Sequence, residues 1–174
     1  MKKIYQVLFR KVIRYLPERC GKIRAFFVRK YVKKLGKQVS IGRNCFIHKN
    51  TEIGDYSGVG YACEINNGVY IGNNVMMGPH VLIYTQNHCT DDVGIPMREQ
   101  GLKPIKPVAI EDDVWIGARV CILPGVTIGR GAVIGACTVV SKDVPSYSVF
   151  VGNPGRVVKS RLFVGESNDA KMEN

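Results

Sequence analysis

An aliphatic residue recurs at every sixth position along most of this chain, and we call these positions the beat residues. Before a single interruption they are Ile41, Ile47, Ile53, Val59, Ile65, Ile71, Met77 and Ile83. After it they are Ile110, Ile116, Ile122, Ile128, Ile134 and Val140. Glycine follows many beat residues, and a small or β-branched residue stands four positions after each one except Ile83. A period of six fits neither an amphipathic helix nor an alternating strand.

The six-residue period predicts a triangular prism. Each hexapeptide supplies one short strand and one corner, where glycine allows a tight bend. Three hexapeptides complete one coil, and successive coils pair as parallel strands ~4.8 Å apart. The fourteen beat residues therefore predict a mainly β solenoid of about four and two-thirds coils over residues 38–160.

Residues 84–109 break the period and are predicted to form a loop inserted at one corner of the prism. They hold three prolines and the charged pair Asp91 and Asp92. A loop of this length inside a compact repeat is usually functional or disordered. A loop that projects from a corner can wall off a cleft between neighbouring subunits, and His88 lies at its root.

Positive charge is concentrated at one end of the chain. The 174 residues carry a formal net charge of +11, to which residues 1–37 contribute +12 and the remainder −1. Since the charge is local, no nucleic-acid partner is expected. Apolar residues at helical spacing predict two basic amphipathic helices that end at Gly36. These residues are Ile4, Leu8, Val12 and Leu16, then Ile23, Phe26, Phe27, Tyr31 and Leu35.

The basic segment has two readings, both open at this stage: it caps the first coil, or it lies against anionic lipid. Arg10, Lys11 and Arg14 interrupt any signal-peptide core, and no apolar run is long enough to span a membrane. We therefore expect a cytoplasmic protein, with peripheral contact at the inner face of the membrane as the second reading implies. The polar residues 161–174 are predicted to be disordered toward the end.

The block from Asp112 to Lys159, with "IGNNVMMG" before it and "VGNPGRVVK" near its end, resembles the hexapeptide-repeat acyltransferases. Within that family the chain is most similar to galactoside and maltose O-acetyltransferases and to sugar acetyltransferases of polysaccharide biosynthesis. The resemblance covers about residues 40–160. It implies a left-handed parallel β-helix, assembly as a homotrimer with active sites between subunits, and acetyl-CoA as the acyl donor.

His88 matches the catalytic histidine of this family by position. A sugar hydroxyl is a poor nucleophile at neutral pH, and a neutral imidazole can accept its proton during attack on the thioester. The resulting oxyanion needs a fixed donor. The resemblance places that donor at the backbone N–H of Ala118. His48 and His80 fall inside the repeat and are interpreted as structural or surface residues.

The resemblance also implies a set of acetyl-CoA contacts. Two are backbone contacts at Ala118 and Ala136, and the cation pair Arg156 and Lys159 approaches the nucleotide phosphates. Ser141 and Lys142 correspond to a Thr-Lys pair of the family. Trp115, the only tryptophan, either lines the pantetheine channel or packs against the loop.

The residues of the acceptor pocket are less clearly indicated by the sequence. Galactoside enzymes carry an acidic pair just before an "IG-D-N-V" stretch; the corresponding stretch here is "EINNGVYIGNN", in which Asn66 and Asn67 stand near those places. We expect these amides, with Glu64 and with Asn87 beside His88, to contact the acceptor. The acceptor specificity of the galactoside enzymes is not transferred.

The favoured function is direct acetyl transfer to a sugar hydroxyl of a capsule, exopolysaccharide or lipopolysaccharide. The alternatives are N-acetylation of a nucleotide-linked amino sugar and acetylation of a xenobiotic. A zinc carbonic anhydrase fits less well because the three histidines are not spaced to surround one metal. A non-catalytic scaffold would leave the loop histidine without a role. The six cysteines have no metal-type spacing, so free thiols and no metal are expected.

Overall fold

The computed structural model describes residues 1–162, which form a three-walled parallel prism with two helices at its base. The helices are α1 (Lys2–Lys11) and α2 (Gly21–Arg29). Short 3-10 helices span Ile13–Tyr15, Glu18–Cys20 and Met97–Glu99. No helix in this part of the chain is long and apolar enough to cross a membrane.

Each wall of the prism is one sheet, which we call A, B or C. Sheet A contains β1 (Lys34–Leu35), β4 (Glu52–Ile53), β7 (Val69–Ile71), β10 (Val108–Ile110) and β13 (Thr127–Ile128). Sheet B contains β2 (Ser40–Ile41), β5 (Gly58–Val59), β8 (Met76–Met77), β11 (Trp115–Ile116), β14 (Val133–Ile134), β16 (Ser148–Gly152) and β17 (Gly155–Ser160). Sheet C contains β3 (Phe46–Ile47), β6 (Glu64–Ile65), β9 (Leu82–Ile83), β12 (Cys121–Ile122) and β15 (Val139–Val140).

The beat residues point into the prism and form its core. They stack on one another from coil to coil, as in the pairs Ile53 with Ile71 and Ile65 with Ile83. All of the predicted beat residues are buried. Full burial of one such side chain contributes roughly 1.5–3 kcal/mol, so the core is a sum of repeated layers rather than one central cluster.

The first coil starts earlier than the sequence analysis predicted. The predicted helix through Leu35 is wrong, because α2 ends at Arg29 and Lys34–Leu35 form β1 of sheet A. Leu35 stands six residues before Ile41 and is in effect a fifteenth beat residue. Gly36 is a corner residue and not a helix stop: a Cβ there would lie 2.5 Å from the backbone N of Asp55. At Leu35 and Gly36 the chain therefore follows the six-residue period of the prism and not the helical spacing.

The inserted loop leaves the register of the prism unchanged. Tyr70 pairs with Glu52, 18 residues earlier, and with Ala109, 39 residues later. The insertion therefore adds 21 residues at the corner between sheets C and A without shifting any wall. This confirms an insertion between intact coils.

The first helix closes the base of the prism through a face that the predicted stripe does not include. Phe9 is the buried residue of α1, and its ring lies 5.7 Å from that of Tyr31. Ile4 and Leu8 of the predicted stripe are exposed, as is Val12 just beyond the helix. The capping role of the segment is therefore borne out by Phe9 and its neighbours.

A fully buried arginine fastens the helices to the first coil. Arg24 donates from Nε to the carbonyl of Ile41 at 2.7 Å and from Nη1 to the carbonyls of Leu16 and Pro17 at 2.9 Å. Its Nη2 donates to the carbonyl of Glu18 at 3.0 Å. Backbone carbonyls thus satisfy a charge that would otherwise be costly to bury.

Candidate active site

His88 is held by a two-stranded hairpin that forms the root of the inserted loop. The outgoing and returning arms are joined by backbone bonds from Lys103 to Asn87 (2.8 Å) and from Cys89 to Gly101 (3.0 Å). His88 itself lies opposite Leu102 in this pairing. The hairpin fixes the backbone of His88 while its side chain stays exposed to solvent.

The tip of the loop is ordered by one glutamine. Gln100 accepts a bond from the backbone N of Asp92 at 3.2 Å and donates to the carbonyls of Asp92 and Ile95 at 2.7 Å. A salt bridge of 3.0 Å between Lys103 and Asp91 joins the arms beside it. The tip and the arms of the loop are therefore held together by side-chain contacts as well as by backbone bonds.

Several backbone N–H groups at the corner between sheets B and C have no partner within residues 1–162, and those of Ala118 and Ala136 are among them. Ala118 and Ala136 stand second after their beat residues, and neither amide donates to an acceptor within residues 1–162. At the corner between sheets A and B most of the equivalent amides are occupied. There Lys37 N donates to the carboxylate of Asp55, and Asn73 N to that of Asp112, at 2.8 and 2.7 Å.

The coils approach so closely at the corner between sheets B and C that only glycine fits beside these amides. A Cβ on Gly78 would lie 2.8 Å from the N of Ala118, and one on Gly117 would lie 2.6 Å from the N of Ala136. In the coil below, the position of Ala118 is taken by Pro79, which has no N–H. Free donors next to small side chains are a suitable place for a ligand carbonyl or a developing oxyanion.

A bulge aligns the two cations of the last strand. β17 runs antiparallel to β16, with Arg156 opposite Val151 and Lys159 opposite Val149, and the register shifts by one residue between them. Because Val149 and Val151 share a face, Arg156 and Lys159 share it too, although three residues separate them. Both cations are exposed, which suits them to bind phosphate groups.

The other predicted acetyl-CoA contacts lie on two different walls. Trp115 is 52% exposed on the outer face of sheet B, between Met76 below and Val133 above. This wall lies opposite the corner from which the loop leaves, which favours the channel role of Trp115 over packing against its own loop. Ser141 and Lys142 are exposed where sheet C ends, at the corner shared with the loop.

Two of the predicted acceptor residues are in direct contact on the lower part of sheet C. The amide of Asn66 donates to the carboxylate of Glu64 and to the carbonyl of Ile83, both at 3.2 Å. Asn67 is separate, because its side-chain oxygen accepts a bond from Asn50 at 2.9 Å. Asn87 lies in the outgoing arm of the hairpin and is exposed.

Tyr84 belongs to this group and was not predicted. It is half-buried at the root of the loop, and burial together with the nearby Glu64 carboxylate raises the pKa of its hydroxyl, so the hydroxyl stays protonated at neutral pH. The sequence signal was its place directly after the beat residue Ile83, where glycine is common. Sheet C thus offers a carboxylate, an amide and a phenol at the point where the inserted loop begins.

The other histidines have local structural partners. Nδ1 of His48 accepts a bond from the backbone N of Asn50 at 3.2 Å, and burial lowers the pKa of this imidazole. His80 packs edge-on against Tyr61 at 5.2 Å. Within residues 1–162 no group of three or more His, Cys, Asp or Glu side chains could hold a metal ion.

The fold is a parallel β-helix of stacked hexapeptide coils. Its exposed histidine, its free corner amides and its paired cations are groups that suit acyl transfer from a phosphate-bearing carrier. Residues 107–142 match the family described as bacterial transferase hexapeptide (six repeats). A galactoside O-acetyltransferase from Lactococcus lactis is 39% identical over 125 residues, which cover 66% of this chain and 59% of the relative. The chain spans 34% to 59% of the length of the curated relatives that it matches.

Solved structures cover more of the chain. A maltose O-acetyltransferase from Clostridium difficile 630 has a TM-score of 0.77 and 36% identity, covering 91% of this chain and 83% of its own. A hexapeptide-repeat acetyltransferase from Vibrio cholerae O1 biovar eltor, complexed with acetyl coenzyme A, has a TM-score of 0.75 and 30% identity, covering 91% and 84%. This chain belongs to the hexapeptide-repeat acetyltransferases, and its prism is the predicted left-handed parallel β-helix.

Proposed function

We propose that this protein transfers an acetyl group from acetyl-CoA to a sugar hydroxyl, with His88 as general base. One observation carries the proposal: His88 is exposed to solvent on the hydrogen-bonded hairpin at the root of the inserted loop. The galactoside and maltose O-acetyltransferases among its relatives, and the neighbour complexed with acetyl coenzyme A, support the same reaction.

In the proposed reaction the His88 imidazole takes the proton of the acceptor hydroxyl as its oxygen bonds to the thioester carbonyl carbon. The carbonyl oxygen becomes an oxyanion, and the free N–H of Ala118 donates to it. Collapse breaks the carbon–sulfur bond, and the imidazolium returns its proton to the departing thiolate. No covalent enzyme intermediate is needed, so the cysteines have no catalytic role.

The donor would be held by the residues that the resemblance implies. Arg156 and Lys159 pair with phosphate oxygens, the amide of Ala136 meets the pantetheine arm, and Trp115 offers an apolar wall to it. Ser141 and Lys142 extend this contact at the neighbouring corner. These side chains are exposed and fit an elongated, phosphate-bearing ligand.

We propose a homotrimer because one chain does not bring the two halves of this site together. His88 lies at the corner between sheets C and A, whereas the cationic strand β17 extends sheet B on the opposite side. A neighbouring copy packed beside the prism can place its histidine hairpin against these groups. Sedimentation velocity should therefore give three chains per particle.

The general-base role is tested with His88→Ala, compared with His80→Ala as a matched control. We expect His88→Ala to lower acetyl transfer roughly 10²–10⁴-fold, with acetyl-CoA affinity and particle size unchanged. His80→Ala should keep transfer near the wild-type rate. Transfer by His88→Ala within a few-fold of wild type would contradict the role.

We further propose a surface polysaccharide as the physiological acceptor and the cytoplasm as the compartment. All six cysteines are unpaired, which fits a reducing compartment. Mass spectrometry of surface glycan with and without the protein should reveal one missing acetyl group. Loss of that group under mild alkali indicates an ester, whereas an alkali-stable group would indicate the N-acetyltransferase alternative.

A further inference from the structure

The two helices at the base of the prism present apolar side chains that no other part of residues 1–162 covers. On α1 it consists of Ile4, Val7 and Leu8, which are 60%, 43% and 41% exposed. On α2 it consists of Ile23 and Phe26, which are 46% and 52% exposed. We call these five side chains the basal surface. Single exposed apolar residues are ordinary, but five on two packed helices form a patch.

The basal surface is distinct from the faces that cap the prism. The capping contacts use Phe9 on α1 and Ala25 and Val28 on α2, all buried. Ile4, Val7 and Leu8 follow the i, i+3, i+4 spacing of a second face, turned away from Phe9. The capping of the prism therefore does not account for the apolar side chains on this second face.

Lysines surround the apolar residues. Lys11 continues the exposed face of α1, and Lys30 continues that of α2, where its Nζ lies 5.2 Å from the centre of the Phe26 ring. Lys3 and Lys22 flank them. Neither helix contains an acidic residue. An apolar centre with a basic border is the pattern of helices that lie in the interface of a lipid bilayer.

We propose that the basal surface docks this protein on anionic phospholipid bilayers. Two copies of the basal surface facing each other would bring lysines together without opposing carboxylates, so self-association is disfavoured. Nucleic acid would match the lysines but would leave Ile4, Leu8 and Phe26 in water. A bilayer meets both requirements, with the apolar side chains at the acyl boundary and the lysines among phosphate groups.

The assembly strengthens this inference, which in this one respect rests on the proposed trimer. Copies packed side by side, with their axes parallel, leave their bases at the same end of the particle. Three basal surfaces would then meet one bilayer together, and the second and third contacts would benefit from a high effective concentration. The inserted loop leaves the prism two coils above the first coil, roughly 10 Å along the axis, which keeps the active sites near the lipid surface.

Co-sedimentation with vesicles tests the proposal without any acetyl acceptor. We expect the full chain to bind vesicles of phosphatidylcholine containing one third phosphatidylglycerol at low salt, and to bind pure phosphatidylcholine far more weakly. Lys11→Gln and Lys30→Gln should each lower the partition coefficient at least about fivefold. Leu8→Ser and Phe26→Ser should also lower it, and these losses should persist at high salt, which screens only the charges.

Two control variants on the prism distinguish binding through the basal surface from nonspecific adsorption of the protein to vesicles. Tyr56→Asn removes an exposed aromatic residue (57% exposed), and Lys49→Gln removes an exposed lysine; both should bind vesicles like wild type. All variants should keep wild-type particle size and acetyl-CoA affinity. Equal binding by wild type, Leu8→Ser and Phe26→Ser would overturn the proposal. So would binding to short duplex DNA that is as tight as vesicle binding and indifferent to Phe26→Ser.

Discussion

Replacing Ala118 by proline removes one backbone donor and leaves the prism intact. The N–H of Ala118 makes no bond within residues 1–162, so no internal hydrogen bond is lost. The chain already carries Pro79 at the same corner one coil below, preceded by Gly78 as Ala118 is preceded by Gly117. Proline is thus compatible with the backbone at this position.

The expected effects on stability and on catalysis differ by orders of magnitude. Proline also restricts the unfolded chain, so the free energy of unfolding should change by less than about 1 kcal/mol. Removal of one oxyanion donor typically lowers kcat about 10²–10³-fold, or roughly 2.7–4 kcal/mol of transition-state stabilisation. A catalytic loss without a stability loss is therefore the signature of the proposed donor.

The assay measures release of the CoA thiol with an accepted glycoside, alongside thermal unfolding. Ala118→Ser, which keeps the N–H, is the matched control and should retain most of the activity. Ala136→Pro should mainly raise the KM for acetyl-CoA, since that amide is proposed to meet the pantetheine arm. If Ala118→Pro folds normally and its kcat stays within threefold of wild type, the oxyanion role of this amide is wrong.

Three further outcomes follow from the same contacts. Lys159→Glu should weaken acetyl-CoA binding at least about tenfold in calorimetric titration, whereas Lys159→Arg should keep or improve it because arginine binds phosphate with two donors. Arg24→Met should lower the free energy of unfolding by about 3–5 kcal/mol in urea, since buried carbonyls lose their donor; a smaller loss would mean that water replaces the guanidinium. Gln100→Ala should raise proteolysis between residues 90 and 100 with unchanged melting, and unchanged proteolysis would show that this side chain does not order the tip.

The prism could be predicted almost completely because its period is a property of the chain itself. Each beat residue can be buried only in the interior of the prism, and a shift of register would expose it to solvent. The exception is Leu35, where helical spacing and the beat coincide. Leu35 fits both patterns, and only pairing with Ile53 in the next coil decides between them. That partner is distant in sequence, so a local pattern could not reveal it.

The resemblance named the candidate site residues, including His88, Ala118 and Ala136, and their roles stay predictions. His88 stood out as a histidine at a break in the repeat. The free amides of Ala118 and Ala136 depend on the absence of a side-chain acceptor in the adjacent coil, which only the stacked structure displays. Tyr84 was missed because its neighbour Glu64 lies 20 residues away and one coil below.

The stacked coils also set a length. Three coil steps separate Met76, at the level where the loop leaves, from Val149, at the level of the cationic strand, which is about 14 Å along the axis at ~4.8 Å per step. In the proposed site this is the axial offset between the histidine and the cations. Adding or deleting one whole coil would change it by ~4.8 Å without altering any side chain. If the proposed site is correct, the number of repeats sets the length that the arm of the donor must span between the cations and the histidine.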